Sequence, residues 1–318
     1  MKFNEHIKWL ASVNSESLYP KEFEDIDKTL PYFKVYKNLD NTNNYNIDMF
    51  NYKTHDNADR MPYICNFLLQ NIFPHVNGNL SGYYSIQLHD TYTYLNDGKN
   101  YKDVLCFGKF KTEKGPVMIP DCYFMSDWGN KYHNIIDPNQ WDIKKKKIIF
   151  GGTTTGSRNP KLNQRIQTCL WAIDKPICDF YITNIAQITP QQILNDIPNF
   201  DKIYKNYISL EEQMSYRYIL NIDGNTVKWN PDYAFTNSLG LCMPSNDMLW
   251  YSTLLQDNTH YKSVDLNNML TTFNYYENNK KEALFIIENA NKLAKKLFKK
   301  SIAIDYTIEL FDNIAGNK

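Results

Sequence analysis

From Lys147 onward the chain repeats one rhythm: a short apolar run, a turn of small or polar residues, then a helical stretch. That alternation restricts the fold more than any other feature. Lys147-Ile-Ile-Phe150 runs into the Gly-rich stretch 151–156, and residues 162–172 follow with helical spacing of their apolar positions. Residues 178–182 read as a strand, and 189–197 as a short helix with Thr189 as N-cap and Pro190 in its first position. Residues 217–222 form the next strand-like run, followed by Gly224, a helix near Tyr233, the apolar run 239–243 and the strand-like 260–264. Strands alternating with helices predict parallel βαβ units, an α/β fold whose doubly wound sheet binds ligands at the carboxyl ends of its strands. The last forty residues place Ala283, Leu284, Ile287, Leu293, Leu297 and Phe298 on one face and predict a long amphipathic helix.

The first half is less regular. Amphipathic pieces surround the polar run 38–51, which reads as a long surface loop. Residues 60–73 carry helical spacing, 83–88 alternate like a strand, and 104–107 and 117–119 are short apolar strands. The basic run 144–147 reads as a connector and sets a boundary between domains 1–145 and 146–318. A length of 318 residues suits two domains, and 42% hydrophobic with 22% charged residues suits well-packed ones.

Lys plus Arg and Asp plus Glu both number 35, which removes the basic field expected of a chain that holds nucleic acid nonspecifically. Arginine occurs only at Arg60, Arg158, Arg165 and Arg217, while Lys, Asn and Tyr, which share AT-rich codons, are abundant. The bias is genomic in kind; it would suit an AT-rich bacterium or a large DNA virus. The four arginines are therefore informative, because Lys cannot reproduce a bidentate fork to phosphate or carboxylate. The six cysteines lie scattered, without CxxC or His at metal-ligand spacing, and read as reduced and largely buried. Charge runs through the first residues where a signal peptide needs an apolar core, and no run approaches 18 apolar residues. The expectation is a cytoplasmic protein without a transmembrane segment, in the host cytoplasm if the source is viral.

Three stretches can carry chemistry. Phe150-Gly-Gly-Thr-Thr-Thr-Gly-Ser-Arg158 empties a strand into small, hydroxyl-rich residues ahead of a helix containing Arg165. Glycines admit backbone amides to a phosphate, hydroxyls donate to it and Arg neutralises it, although such a loop standing alone also serves as a plain turn. It lacks the Gly-Lys-Ser/Thr of a P-loop. Asp223-Gly-Asn-Thr-Val-Lys228-Trp-Asn230 likewise follows a strand, so both loops would emerge on one sheet edge. In the first half, Tyr84-Ser-Ile-Gln-Leu-His89-Asp90 ends a strand in an ionisable pair, with Asp121 and Asp127 further on; a carboxylate so placed can act as a general base or merely cap a turn. Asp25-Ile-Asp27 imitates a DxD metal motif but offers no convergent oxygen ligands.

The order of these motifs over residues 80–270 resembles glycosyltransferase family 90, the capsule-associated and Rumi-like protein O-glucosyltransferases with their lipopolysaccharide-modifying relatives. Ser85-Ile-Gln-Leu-His-Asp90 is similar to the family's strand ending in Asp, and 104–124 to its Phe-Ser-Lys and Pro-Asp-Trp-Phe segment. Phe150-Gly-Gly-Thr-Thr-Thr-Gly156 resembles its Arg-Gly-Ser/Ala-Thr-Thr-Gly loop, with Arg165 on the Arg-x-x-Leu helix behind it. Tyr216-Arg-Tyr-Ile-Leu-Asn-Ile-Asp-Gly-Asn225 resembles its Tyr-Lys-Tyr-Leu-x-Asn-x-Asp/Glu-Gly-Asn signature, and 236–244, Trp250 and His260-Tyr261 its closing segment.

The resemblance implies a GT-B fold, two Rossmann-like domains facing a cleft, with C-terminal amphipathic helices that pack back on the first domain. It makes 1–145 the acceptor side and 146–318 the nucleotide-sugar side. The implied reaction is inverting transfer of glucose or xylose from a UDP-sugar to a hydroxyl of a glycan or glycoprotein, without metal or other cofactor. Asp90 takes the role of base, with Asp121 and Asp127 as second carboxylates. Gly152, Thr153, Thr154, Thr155, Gly156, Arg158, Arg165, Gly224, Asn225, Lys228 and Asn230 line the donor side. Departures are Gly151 and Asn230 at family Arg positions, Thr91 where a Pro follows the Asp, and Thr168 for the Leu. They leave a second reading open: a nucleotide-sugar or carbohydrate binder without efficient turnover.

Overall fold

The computed structural model describes residues 3–15, 21–22, 24, 28–37, 45–90, 104–111, 116–121, 125, 132–225 and 231–316. They fall into two units, and the chain passes between them four times: unit 1 is Met1–Asn130, Asn246–Ser252 and Phe298–Lys318, and unit 2 is Lys131–Ser245 and Thr253–Leu297.

The sheet of unit 1 is mixed. Strand β1 (Tyr32–Lys37) pairs antiparallel with β2 (Tyr45–Phe50) and with β3 (Gly82–Ile86). Strands β3, β4 (Val104–Cys106) and β6 (Val117–Met118) run parallel, giving the order β2-β1-β3-β4-β6. The short β5 (Gly108–Phe110) pairs antiparallel with β11 (Asp247–Leu249). Helices α1 (Phe3–Ser15), α2 (Arg60–Asn71) and the C-terminal Lys300–Gly316 belong to this unit. Phe311 of the last stacks edge-on against Phe73 and Tyr84, and Tyr306 donates to the Met118 carbonyl at 2.7 Å. The polar run read as a loop supplies β2 instead. On an edge strand with one solvated face, buried Tyr45 anchors the core while Asn46 and Asp48 face water, so a polar composition is compatible with pairing.

Unit 2 is the doubly wound half. Strands β7 (Lys145–Thr153), β8 (Cys178–Asn184), β9 (Tyr216–Asn221), β10 (Leu239–Cys242) and β12 (Lys262–Ser263) are all parallel, in the order β12-β10-β9-β7-β8. Read from β8, the first strand in the chain lies second, so the order reverses between β7 and β9, the switch point where such sheets leave a crevice. The faces confirm it. Helix α3 (Gln164–Ala172), which follows β7, packs Ile166 and Cys169 with Ile148, Phe150, Tyr218 and Leu220. Tyr233, which follows β9, packs with Ile149, Tyr216 and Ile219 on the opposite face. Each aliphatic side chain buried this way contributes about 1.5–3 kcal/mol. Helix α4 (Pro190–Asp196) starts at the expected N-cap, and Gln192 completes a capping box there: Thr189 accepts from the Gln192 amide and Gln192 from the Thr189 amide.

The basic run 144–147 is not a connector. Lys145, Lys146 and Lys147 open β7, with Lys147 bound to Asp179 at 2.9 Å, and Lys144 is buried at 3% exposure. Its Nζ meets Asp137 Oδ2 at 2.7 Å, Ser238 Oγ at 3.1 Å and the Met214 carbonyl. Four consecutive lysines read as solvated sequence, yet a strand start needs only one inward position, and an aspartate seven residues earlier satisfies it. The predicted long C-terminal helix is likewise divided, into Lys280–Leu297 and Lys300–Gly316. The buried stripe of the former runs through Ala283, Ile286, Ile287, Ala290, Leu293, Ala294 and Leu297, while Leu284 is 38% exposed. Among the described residues no helix is long and apolar enough to cross a membrane.

Candidate functional site

The loops leaving β7, β8 and β9 meet at the switch point. After β7, Thr154 is fully buried; its Oγ1 donates to the Ala186 carbonyl at 2.7 Å and accepts the Ala186 amide at 2.8 Å, fastening the loop to the one after β8. Gly156 takes φ +110°, a conformation that disfavours side chains, and its amide is shared between Gln187 Oε1 and Asn225 Oδ1, both at 3.2 Å. Asn225 belongs to the loop after β9, so one amide ties three strand ends together.

Beneath them lies Arg165, 4% exposed, which α3 delivers from below. Its Nε donates to the Asp223 carbonyl at 3.0 Å and the Ile222 carbonyl at 3.3 Å, and Nη2 to Ile222 at 2.9 Å. Nη1 donates to the Thr153 carbonyl at 3.0 Å and to Thr155 Oγ1 at 2.8 Å. Burial lowers the Arg165 pKa from its ordinary value, and the Asp223 carboxylate opposes that. Gly224 lies against the guanidinium: a Cβ there would sit 2.5 Å from Thr155 Oγ1 and 2.7 Å from Nη2, so glycine is the one residue that fits without displacing them. The side that a larger residue at Gly151 would enter meets Ile208 Cδ1 at 3.2 Å.

Gly152, Thr153, Thr154, Thr155, Gly156, Arg165, Gly224 and Asn225 are therefore brought together on one carboxyl edge. Arg158 lies on the same loop, exposed, without a hydrogen bond or ion pair among the described residues. The backbone amides of Thr155, Ser157 and Arg158 likewise donate to nothing described. Lys228, Asn230 and Asp127 lie outside the described residues, as do Asp25 and Asp27. Sequence reasoning passed over Asn163. This fully buried side chain caps α3 by accepting the Ile166 amide, and its Nδ2 donates to the carbonyls of Thr154, Thr155 and Ser157 at 3.0, 3.3 and 2.9 Å. An Asn just before a helix was the available signal.

Beyond β9, Asn221, Tyr233, Thr236, Ser238, Gly240, His260 and Asn291 line a narrow crevice with almost no free volume. His260 Nδ1 accepts the Gln256 amide at 3.1 Å, which leaves the proton on Nε2 in the neutral ring, and burial lowers its pKa.

In unit 1, Asp90 lies four residues past β3 and Asp121 three past β6; β3, β4 and β6 are parallel, so both carboxylates emerge on one sheet edge. Arg60, 9% exposed at the start of α2, donates from Nη2 to Asp90 Oδ1 at 2.8 Å and from Nη1 to the Leu88 carbonyl at 2.8 Å, with its guanidinium 5.7 Å from the Phe107 ring centre. Asp90 Oδ2 has no partner among the described residues. Burial lowers the pKa of neighbouring His89. Of the remaining arginines, Arg217 is buried and bound to Glu277 at 2.7 Å and to the Trp141 carbonyl. No three His, Cys, Asp or Glu side chains converge as metal ligands among the described residues.

Residues 174–316 match the model of glycosyl transferase family 90, a span from just before β8 to the end of the C-terminal helix that leaves out Asp90 and the loop after β7. No curated protein matches the chain. Among solved structures, the C-terminal domain of a glycosyl transferase group 1 family protein (LpcC) from Francisella tularensis is 12% identical with a TM-score of 0.31, covering 50% of this chain and 89% of its own. TarM is 12% identical with a TM-score of 0.40, covering 63% of this chain and 40% of its own.

Proposed function

We propose that this chain, which carries glycosyl transferase family 90 sequence over residues 174–316, is an inverting, UDP-sugar-dependent glycosyltransferase of GT-B type. The observation that carries the reading is the loop after β7: three amides and one exposed arginine that are unpaired among the described residues, at the switch point of a parallel sheet. Amides without carbonyl partners are open to anionic oxygens, and an arginine adds a permanent charge. A diphosphate matches both.

In the proposed step the acceptor hydroxyl forms a bond to the anomeric carbon as the bond to the diphosphate oxygen breaks. The electron pair leaves with UDP, stabilised by the amides and Arg158, and the hydroxyl proton passes to Asp90. Arg60 holds Oδ1 of that carboxylate and leaves Oδ2 to receive the proton. Glucose or xylose as the sugar, and a glycan or glycoprotein as the acceptor, follow from the family resemblance.

A thermal-shift screen against UDP, GDP, CMP and their sugars tests the reading, since a ligand of the native state raises its melting temperature as its concentration passes the dissociation constant. UDP and UDP-sugars are expected to stabilise; no response to any nucleotide rejects the donor site. Stabilisation by a UDP-sugar without transfer to any hydroxyl acceptor establishes the binder without turnover instead.

A further inference from the structure

We propose that Asn163 and Arg165 are positioning residues: Asn163 gathers the loop after β7 and Arg165 ties it to the loop after β9, so that with the Thr154 and Gly156 contacts to the loop after β8 they form one preassembled anion cradle, and Arg158 supplies the charge that meets the diphosphate. The inference rests on the donor-site reading for Arg158 and stands independently of it for the weld.

The geometry assigns these roles by what each group has left to give. Arg165 is 4% exposed and donates from all three of its nitrogens to the protein's own acceptors, on Thr153 and Thr155 at one side and Ile222 and Asp223 at the other. A planar fork spans the crevice floor between two strand ends, a task that a Lys ammonium on a flexible stem cannot perform. Gly224 lies over the guanidinium and Thr155 beside it. Asn163 contributes the second weld by drawing the carbonyls of Thr154, Thr155 and Ser157 to one amide nitrogen. With those carbonyls turned inward onto Asn163, the peptide units of this loop set their N–H groups away from it. Thr154 and Gly156 then join the loop after β8, through Ala186 and Gln187. Arg158, exposed and unpaired among the described residues, is left as the cation that can meet a ligand. A cradle whose dipoles are fixed in advance binds charge without reorganising.

Two arms test this on the full chain. In the first, amide hydrogen exchange is followed without ligand. Arg165→Lys, Asn163→Asp and the milder Thr155→Val, which removes one Nη1 acceptor while keeping shape, should each speed exchange at Thr154, Gly156 and Ala186 about tenfold or more, with the β9 core unchanged. Arg158→Gln should leave it at the wild-type rate. In the second, UDP affinity is measured by calorimetry. Arg158→Gln should weaken it about tenfold and Arg158→Lys much less, whereas Arg165→Lys, which keeps the charge, should weaken it as much as Arg165→Gln. Unchanged ligand-free exchange in Arg165→Lys and Thr155→Val, with UDP binding lost in the former, would make Arg165 a direct phosphate ligand and overturn the proposal. If the wild type binds no UDP, the donor reading fails, and the exchange arm alone decides the weld.

Discussion

Replacing Asp90 with Asn separates a base from a turn cap, because the structure makes the two effects differ in size. The amide can still offer an oxygen to Arg60 Nη2, now 2.8 Å from Oδ1, so the change removes a charge and keeps a hydrogen bond. The Asp90 side chain is 36% exposed, and an ion pair open to water to that extent is worth about 0.5–1 kcal/mol. For a unit of this size that is a melting shift of roughly 2–4 °C at most. Loss of a general base, by contrast, lowers the rate by about 100-fold or more, at about 1.4 kcal/mol of barrier for each factor of ten. Initial rates of sugar transfer at saturating UDP-sugar, beside calorimetry of UDP and thermal unfolding, give all three quantities. The expected pattern is a collapsed rate, donor affinity near wild type and a small melting shift. Turnover at the wild-type level with a lowered melting temperature would refute the base assignment and pass the role to Asp121 or Asp127.

Lys144→Met leaves the Asp137 carboxylate, whose partner side chain is wholly buried, without its cation, and should destabilise unit 2 by about 3–5 kcal/mol in urea unfolding; a loss below about 1 kcal/mol would show that the Asn139 and Asn237 amides suffice. Burial lowers the pKa of His6, His89 and His260, so the unfolded chain binds more protons between their folded values and 6.5. Stability should therefore be full above that window and fall as pH drops through it; equal denaturation midpoints at about pH 7.5 and 5.5 would contradict this. Turnover should survive excess EDTA, the donor loops offering amides and Arg rather than hard oxygen ligands, and activity lost to EDTA and restored by manganese or magnesium would reopen Asp25 and Asp27.

The alternation of apolar runs and helices made unit 2 legible because its central strands announce themselves as continuous runs: β9 is buried at all six positions and β7 at Ile148, Ile149 and Phe150. Thr189-Pro190 marked a helix start by local chemistry alone, and Asp223-Gly224 marked a strand end. The weld was not legible. Asn163 and Arg165 act through carbonyls up to 58 residues away, and nothing in a backbone acceptor's sequence betrays it. The hydrogen bonds of Arg165 were hidden for the same reason: a sequence shows that a charge exists, while only geometry shows which carbonyls it meets. Lys144 was hidden among three solvated neighbours, as a single inward position within an outward-facing stretch, and β2 among asparagines, because only alternate positions of an edge strand face inward.

The fourfold passage of the chain between the two units has a consequence for synthesis. Unit 2 is complete once residue 297 has emerged, whereas unit 1, begun first, lacks Phe311 against Phe73 and Tyr84 until the final segment follows. The amino-terminal half must therefore leave the ribosome with an open apolar face and wait, so the half made first folds last.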